Sequence, residues 1–140
     1  MQRAVELFKT LGDETRLRIL NLLGERDVCV CEMVEILRLG QSKVSRHLAA
    51  LRHAGLVDCR REGMWVIYFL APACSPLHQM MRDWLMAMRH ENVRSRNDLE
   101  ALREFATHHG HCLGTSREPP PPAESREPMD RQIEVCGAAT

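Results

Sequence analysis

Two cysteines separated by a single residue, Cys29 and Cys31, are the side chains of this 140-residue chain best suited to chemistry. Thiols kept reduced are soft, polarisable ligands, so a close pair points to capture of a thiophilic ion. On a regular helix the two flank Val30 by about 100° on either side and diverge by roughly 200°. One ion then joins both sulfurs only if the first turn deforms or is already unwound. Asp27 reads as the N-cap of that helix, which puts both cysteines in its first turn, where fraying is cheap. The same pair also admits a plainer reading, as small hydrophobes beside a core.

A second set of residues is suited to a nucleic-acid groove. Val30, Met33, Val34 and Leu37 fall at i, i+3, i+4 and i+7, and after a break at Leu39-Gly40-Gln41 the spacing resumes with Val44, Leu48 and Leu51. This is a helix-turn-helix pattern. Opposite Val44 and Leu51 the second helix carries Ser42, Arg46, Ala49 and His53, with Lys43 and Ser45 on its shoulders and Gln41 at its start. Short hydroxyls, small alanines and cations suit close approach to a duplex. His47, at the edge of the buried face, reads equally as a phosphate contact or as filling. Next, Leu56 to Arg60 reads as a strand, Arg61-Glu62-Gly63-Met64 as a tight turn and Trp65 to Leu70 as the returning strand. A hairpin with Arg60 and Arg61 at its tip, directly after a recognition helix, is a wing.

The elements that must position these residues follow from the rest of the pattern. Residues 3 to 11 form an amphipathic helix stopped by Gly12, and Asp13 caps a second helix, 14 to 23, ended by Gly24. Pro72 and Pro76 mark a boundary, after which Leu77, Met80, Met81, Trp84, Leu85 and Met88 line one side of a long helix. Because the winged element has its own core, that stripe is expected to be the seam of a homodimer. A further helix is expected over 97 to 106. From Gly110 the pattern dissolves into polar residues and the run Pro119 to Pro122. The expected fold class is mainly α with a β-hairpin, a winged helix-turn-helix of order α-α-α-α-β-β-α with one more helix. The expected organisation is a DNA-binding and dimerisation domain over 1–92, a helical extension over 93–112 and a disordered tail over 113–140.

Composition agrees with this reading without requiring it. The net charge is zero, with 19 basic against 19 acidic residues, yet residues 42 to 63 hold Lys43, Arg46, Arg52, Arg60 and Arg61 against Asp58 and Glu62. Distribution rather than total charge steers association with phosphates. No stretch has the length or apolarity of a membrane span and the N-terminus has no apolar signal core, so a cytoplasmic protein with no membrane partner is expected. The six cysteines are then expected as free thiols, with Cys59 and Cys74 packed where they border the wing. The chain has no Gly-rich phosphate loop, nucleophile elbow or paired carboxylates, and an enzyme is not expected.

The segments Leu11-Gly12-Asp13-Glu14-Thr15-Arg16-Leu17-Arg18-Ile19-Leu20, Val28-Cys29-Val30-Cys31-Glu32, Gln41 to Leu48 and Gly63-Met64-Trp65-Val66-Ile67-Tyr68 together resemble the ArsR/SmtB family of metal-responsive bacterial repressors. The resemblance covers residues 3 to 90. It implies a dimeric winged helix that binds double-stranded operator DNA and leaves it when a thiophilic ion binds. Cys29-Val30-Cys31 resembles the thiolate site of the family's arsenite and antimonite sensors and of its cadmium and lead sensors. The chain departs from the family at two points. The third cysteine of many arsenite sensors is replaced by Val34, and on the dimerising helix Asp83 is followed two residues later by Leu85, without the histidines of a zinc site.

Soft thiolates favour As(III), Sb(III), Cd(II) or Pb(II), and a pair falls short of the four ligands of a closed zinc site, so three-coordinate As(III) or Sb(III) is the expected inducer. Its third ligand is then water, hydroxide or another thiol. Cys112, in Thr107-His108-His109-Gly110-His111-Cys112, is one candidate, set against a solvated helix end with incidental histidines, and Cys136 is a weaker one. Two other functions compete. The pair could be a redox switch on the same DNA-binding fold, although a disulfide inside a regular helix is strained. Alternatively the chain could be a thiol-rich metal-binding module with no operator, for which Lys43, Arg46 and Arg61 would be dispensable.

Overall fold

Asp13 adopts extended backbone and its carboxylate accepts the Arg16 N–H at 3.1 Å, so the chain passes from α1 (Gln2–Leu11) to α2 (Glu14–Glu25) where a capping residue stands. The computed structural model describes residues 1–108; the expected tail, Cys112 and Cys136 lie outside the described residues. α2 does not end at Gly24 but runs through it to Glu25. A Cβ there would meet Met86 Cε at 2.5 Å, the far end of a flexible side chain that can turn aside.

The segment between α2 and the helix-turn-helix differs from the expectation in a way that matters for the site. Val28 and Cys29 form a short strand, β1, and α3 (Val30–Leu37) begins only at Val30, with Cys29 rather than Asp27 as its N-cap. α3 ends at Arg38 in the left-handed region (φ 54°), and after Gly40 the chain enters α4 (Gln41–His53). β2 (Val57–Glu62) and β3 (Trp65–Leu70) pair from Val57↔Leu70 to Glu62↔Trp65. The turn is therefore tighter than read from the sequence. Only Gly63 and Met64 lie outside the strands, with Gly63 at φ 59° supplying the left-handed residue that a two-residue hairpin favours. β1 pairs antiparallel with β3, Val28 opposite Tyr68 and Cys29 opposite Ile67, so the wing belongs to a three-stranded sheet of order β1-β3-β2.

α5 (Pro76–Met88) is capped by Ser75, whose hydroxyl accepts the His78 N–H at 3.2 Å. The apolar stripe expected to face one way on this helix divides. Met81 and Leu85 are buried in the core of their own chain, while Met80 and Trp84, 59% and 47% exposed, look outward. Phe8 of α1 is exposed as well. α6 (Val93–His108) is longer than the 97 to 106 expected and lies along α2 and α3. Leu102 is fully buried in the core, Asn21 Nδ2 donates to the Ser95 carbonyl at 3.1 Å, and Arg18 grips the Asp98 carboxylate through two hydrogen bonds of 2.8 Å. That bidentate bond outweighs burial and holds the Arg18 pKa above its usual value. No helix among the described residues is long and apolar enough to cross a membrane.

Candidate functional site

The Cys29–Cys31 pair is shaped by the late start of α3. Cys29 sits in extended backbone (φ −81°, ψ 159°) and Cys31 in the first helical turn, with their Cα atoms 5.5 Å apart. The divergence expected on a regular helix therefore does not arise, because one of the two residues is not helical. Their sulfurs converge, and in this structure they are joined as a disulfide where free thiols were expected. Cys29 is almost wholly buried and Cys31 half-buried, so the sulfurs sit at a joint between sheet and helix, with one edge reachable from outside. Among the described residues no group of three or more His, Cys, Asp and Glu side chains could hold a metal ion.

Glu32, which the sequence reading passed over, holds the joint in place. It is 1% exposed, and its carboxylate accepts the Cys29 N–H at 3.4 Å and bonds to the Arg26 guanidinium at 2.5 Å. Arg26 in turn donates to the Asp27 carbonyl at 2.9 Å. A glutamate three residues after a cap is the acidic half of a capping box. The spacing Cys29-Val30-Cys31-Glu32 carried that signal, but cysteine is an unusual cap and Asp27, a common one, stood two residues earlier. Asp27 has a different role. Nearly buried, it pairs with Arg60 of β2 at 2.6 Å. Arg60 also reaches Glu62 at 2.7 Å and lies over the Phe69 ring, 5.7 Å from its centre. Burial works against its charge, yet the bonds to Asp27 and Glu62 prevail and raise its pKa. Of the two wing arginines, Arg60 thus clamps the wing to the cysteine segment, and Arg61 is the one that stands exposed.

On α4, Gln41, Ser42, Lys43 and Arg46 are exposed, while Val44, Leu48 and Leu51 are buried. Ser45 is half-buried, and its Oγ has no hydrogen-bond partner. His47 is turned inward, with Nδ1 3.7 Å from the Asp13 carboxylate. Arg52 pairs with Asp58 at 3.5 Å. Cys59 is buried as expected, whereas Cys74 is exposed, because it lies in the loop that leaves β3 for α5 rather than in the sheet.

The helix-turn-helix region, residues 13–58, matches the family model described as bacterial regulatory protein, arsR family. The chain is 51% identical over 83 residues to the arsenic resistance transcriptional regulator ArsR1 of Pseudomonas putida, an alignment covering 59% of each protein. It thus spans about 59% of the length of that curated relative and, likewise, of the Escherichia coli arsenical resistance operon repressor. It is 44% identical over 84 residues to a second Pseudomonas putida regulator, ArsR2, where the match covers 59% of this chain and 73% of the relative. Among solved structures, reduced HlyU from Vibrio cholerae superposes with a TM-score of 0.55 at 37% identity, over 64% of this chain and 90% of that one. With the winged helix-turn-helix in place and this degree of identity across most of a relative's length, the chain belongs to the arsR family of bacterial regulatory proteins.

Proposed function

We propose that the chain is a dimeric transcriptional repressor that holds operator DNA with α4 and the β2–β3 wing and releases it when As(III) or Sb(III) is captured by Cys29 and Cys31. The observation that carries this reading is the convergence of the two sulfurs at the junction of β1 and α3. Reduced, they offer two thiolates on one side of the backbone. A pyramidal As(III) or Sb(III) takes a third ligand from water or hydroxide, while Cd(II), equally thiophilic, needs at least two further donors to complete a tetrahedral shell. The names of the arsenic-resistance relatives support the metalloid.

The joint is coupled to both DNA-facing elements. Cys29 pairs with Ile67 on the wing strand β3, and Cys31 lies on α3, which packs on α4. An ion that resets the sulfur separation pulls on the helix and the wing together. In a dimer whose half-sites lie about 34 Å apart, a small tilt of each α4 spoils the register. Release by a factor of ten requires only about 1.4 kcal/mol of differential affinity.

The disulfide favours one alternative on the same fold, a thiol switch in which peroxide oxidises the two thiols to the bonded pair and is reduced to two molecules of water. Operator-release titrations separate the two. Release by As(III) with no effect of peroxide establishes the first reading, and the reverse establishes the second. Testing Cd(II), Pb(II) and Zn(II) alongside ranks the ions.

For DNA contact the exposed residues of α4, Gln41, Ser42, Lys43 and Arg46, face the major groove, and Arg61 reaches phosphate from the wing. Ser45 and His47 sit nearer the core and support α4 from behind. Arg46→Ala is expected to cost about 1–3 kcal/mol on the cognate operator and to relax discrimination at one base pair. Arg61→Ala is expected to weaken all sequences alike and to lower the salt slope by about 0.9. Competition binding at several salt concentrations reads both.

Met80 and Trp84 on α5, with Phe8 on α1, form the apolar surface that the second copy covers. Trp84→Ala is expected to weaken the dimer by about 2 kcal/mol, roughly thirtyfold, in sedimentation equilibrium.

A further inference from the structure

The wing ends in an apolar tip. Gly63 takes the left-handed conformation of the two-residue turn, which leaves Met64 in ordinary backbone at the end of the hairpin, where polar turn residues usually stand. Met64 is 95% exposed, and apart from Met1 no large apolar side chain among the described residues is barer. Trp65, 44% exposed, adds apolar surface beside it, and Arg61 and Glu62 stand exposed on the preceding strand. The hairpin is braced at two points. At its base Arg52 of α4 pairs with Asp58 at 3.5 Å, which ties the wing to the helix that carries Lys43 and Arg46. Farther along, Arg60 pairs with Asp27 and lies over Phe69.

We propose that Met64 is a wedge that enters the minor groove of the operator and partly unstacks one base step, so that the wing reads how easily the duplex deforms. The proposal rests on the reading of α4 and the wing as the DNA-holding elements. Reach permits it. From Asp58 to Met64 the chain advances about 20 Å, at about 3.3 Å per residue. A major groove and the next minor groove lie about half a turn apart, roughly 17 Å. With α4 in the one, the tip comes to the other. Methionine is among the side chains that open base steps from the minor groove, being apolar, unbranched and flexible. Arg61 supplies the cation for the phosphates on the way in. A sequence preference follows from the balance of terms. Burying one methionine offsets unstacking only where unstacking is cheap, at TA and CA/TG steps and not in a stiff A-tract. The wing then discriminates at a position where no base edge is hydrogen-bonded.

The test uses the full chain, kept reduced, and the duplex it selects from a randomised library. 2-Aminopurine placed in turn at each adenine of a half-site reports unstacking as a rise in fluorescence. A rise is expected at one pyrimidine–purine step, about half a turn from the base pair whose discrimination Arg46→Ala relaxes. Met64→Ala, at an exposed position whose change leaves the circular dichroism intact, should abolish the rise and weaken binding about tenfold. Met64→Leu, which keeps a wedge, should retain both. Changing that step to AA should weaken the parent by a similar factor and leave Met64→Ala nearly unaffected. No rise with the parent, a rise that Met64→Ala leaves intact, or an equal effect of Met64→Ala on both duplexes overturns the wedge. Arg46→Ala separates this failure from that of the reading beneath it. If Arg46→Ala binds weakly while Met64→Ala binds like the parent, the wedge alone falls; if Arg46→Ala also binds like the parent, the DNA-holding role of α4 falls and the wedge with it.

Discussion

Cys31→Ser is expected to leave operator affinity within about twofold while abolishing release by As(III), so that the arsenite concentration for half-release rises by at least about a hundredfold, equivalent to some 2.7 kcal/mol of lost coupling. The separation of the two effects follows from where the residue sits. Cys31 is half-buried on the first turn of α3, and exchanging sulfur for oxygen there disturbs neither the buried face of α4 nor the exposed side bearing Lys43 and Arg46. Cys29→Ser is expected to behave alike toward arsenite, with some loss of stability because a hydroxyl replaces a thiol at a site 2% exposed. Fluorescence anisotropy on labelled operator, with arsenite titrated into preformed complex, measures both quantities at once. A variant that loses DNA binding outright would show that the cysteine pair belongs to the DNA-holding structure rather than to the response.

Glu32→Ala is expected to destabilise the fold by about 3–5 kcal/mol, read as a fall in the urea midpoint at unchanged slope. The reason is the charge left behind. Arg26, 19% exposed in its side chain, would keep its guanidinium against the core without its carboxylate, and the Cys29 N–H would lose its acceptor. The same change should weaken the response, because the capping bond works with the β1–β3 pairing to keep Cys29 out of the helix and beside Cys31. Glu32→Gln preserves an acceptor for the cap and is expected to cost less than Glu32→Ala. Equal losses in the two would assign the whole effect to charge and none to the cap.

Much of this was legible in the sequence, for reasons that can be named. The spacing of Val44, Leu48 and Leu51 reports which side of a helix is buried, and that settles which side of α4 is left for Ser42, Lys43 and Arg46. Alternation and a glycine placed the wing, and the prolines after it placed the start of α5. These are local properties, decided by neighbours one or two turns away. The apolar stripe of α5 was legible as apolar but not as divided. Periodicity marks Met81 and Met80 alike, and only the packing of α2 beneath the helix separates the inward residue from the outward one.

By itself the sequence determined the helix-turn-helix, its exposed polar face and the presence of two thiols one residue apart. The tertiary structure alone decided that the thiols converge. β1 exists only because β3, almost forty residues on, offers Cys29 and Val28 a strand to pair with, and that pairing ends the extended backbone where Glu32 can start the helix. Asp27, an ordinary cap in local terms, is taken by Arg60 from across the sheet. Contacts between residues distant in the chain outweigh a capping preference worth about 1 kcal/mol, and they bring together two cysteines that a regular helix would hold apart.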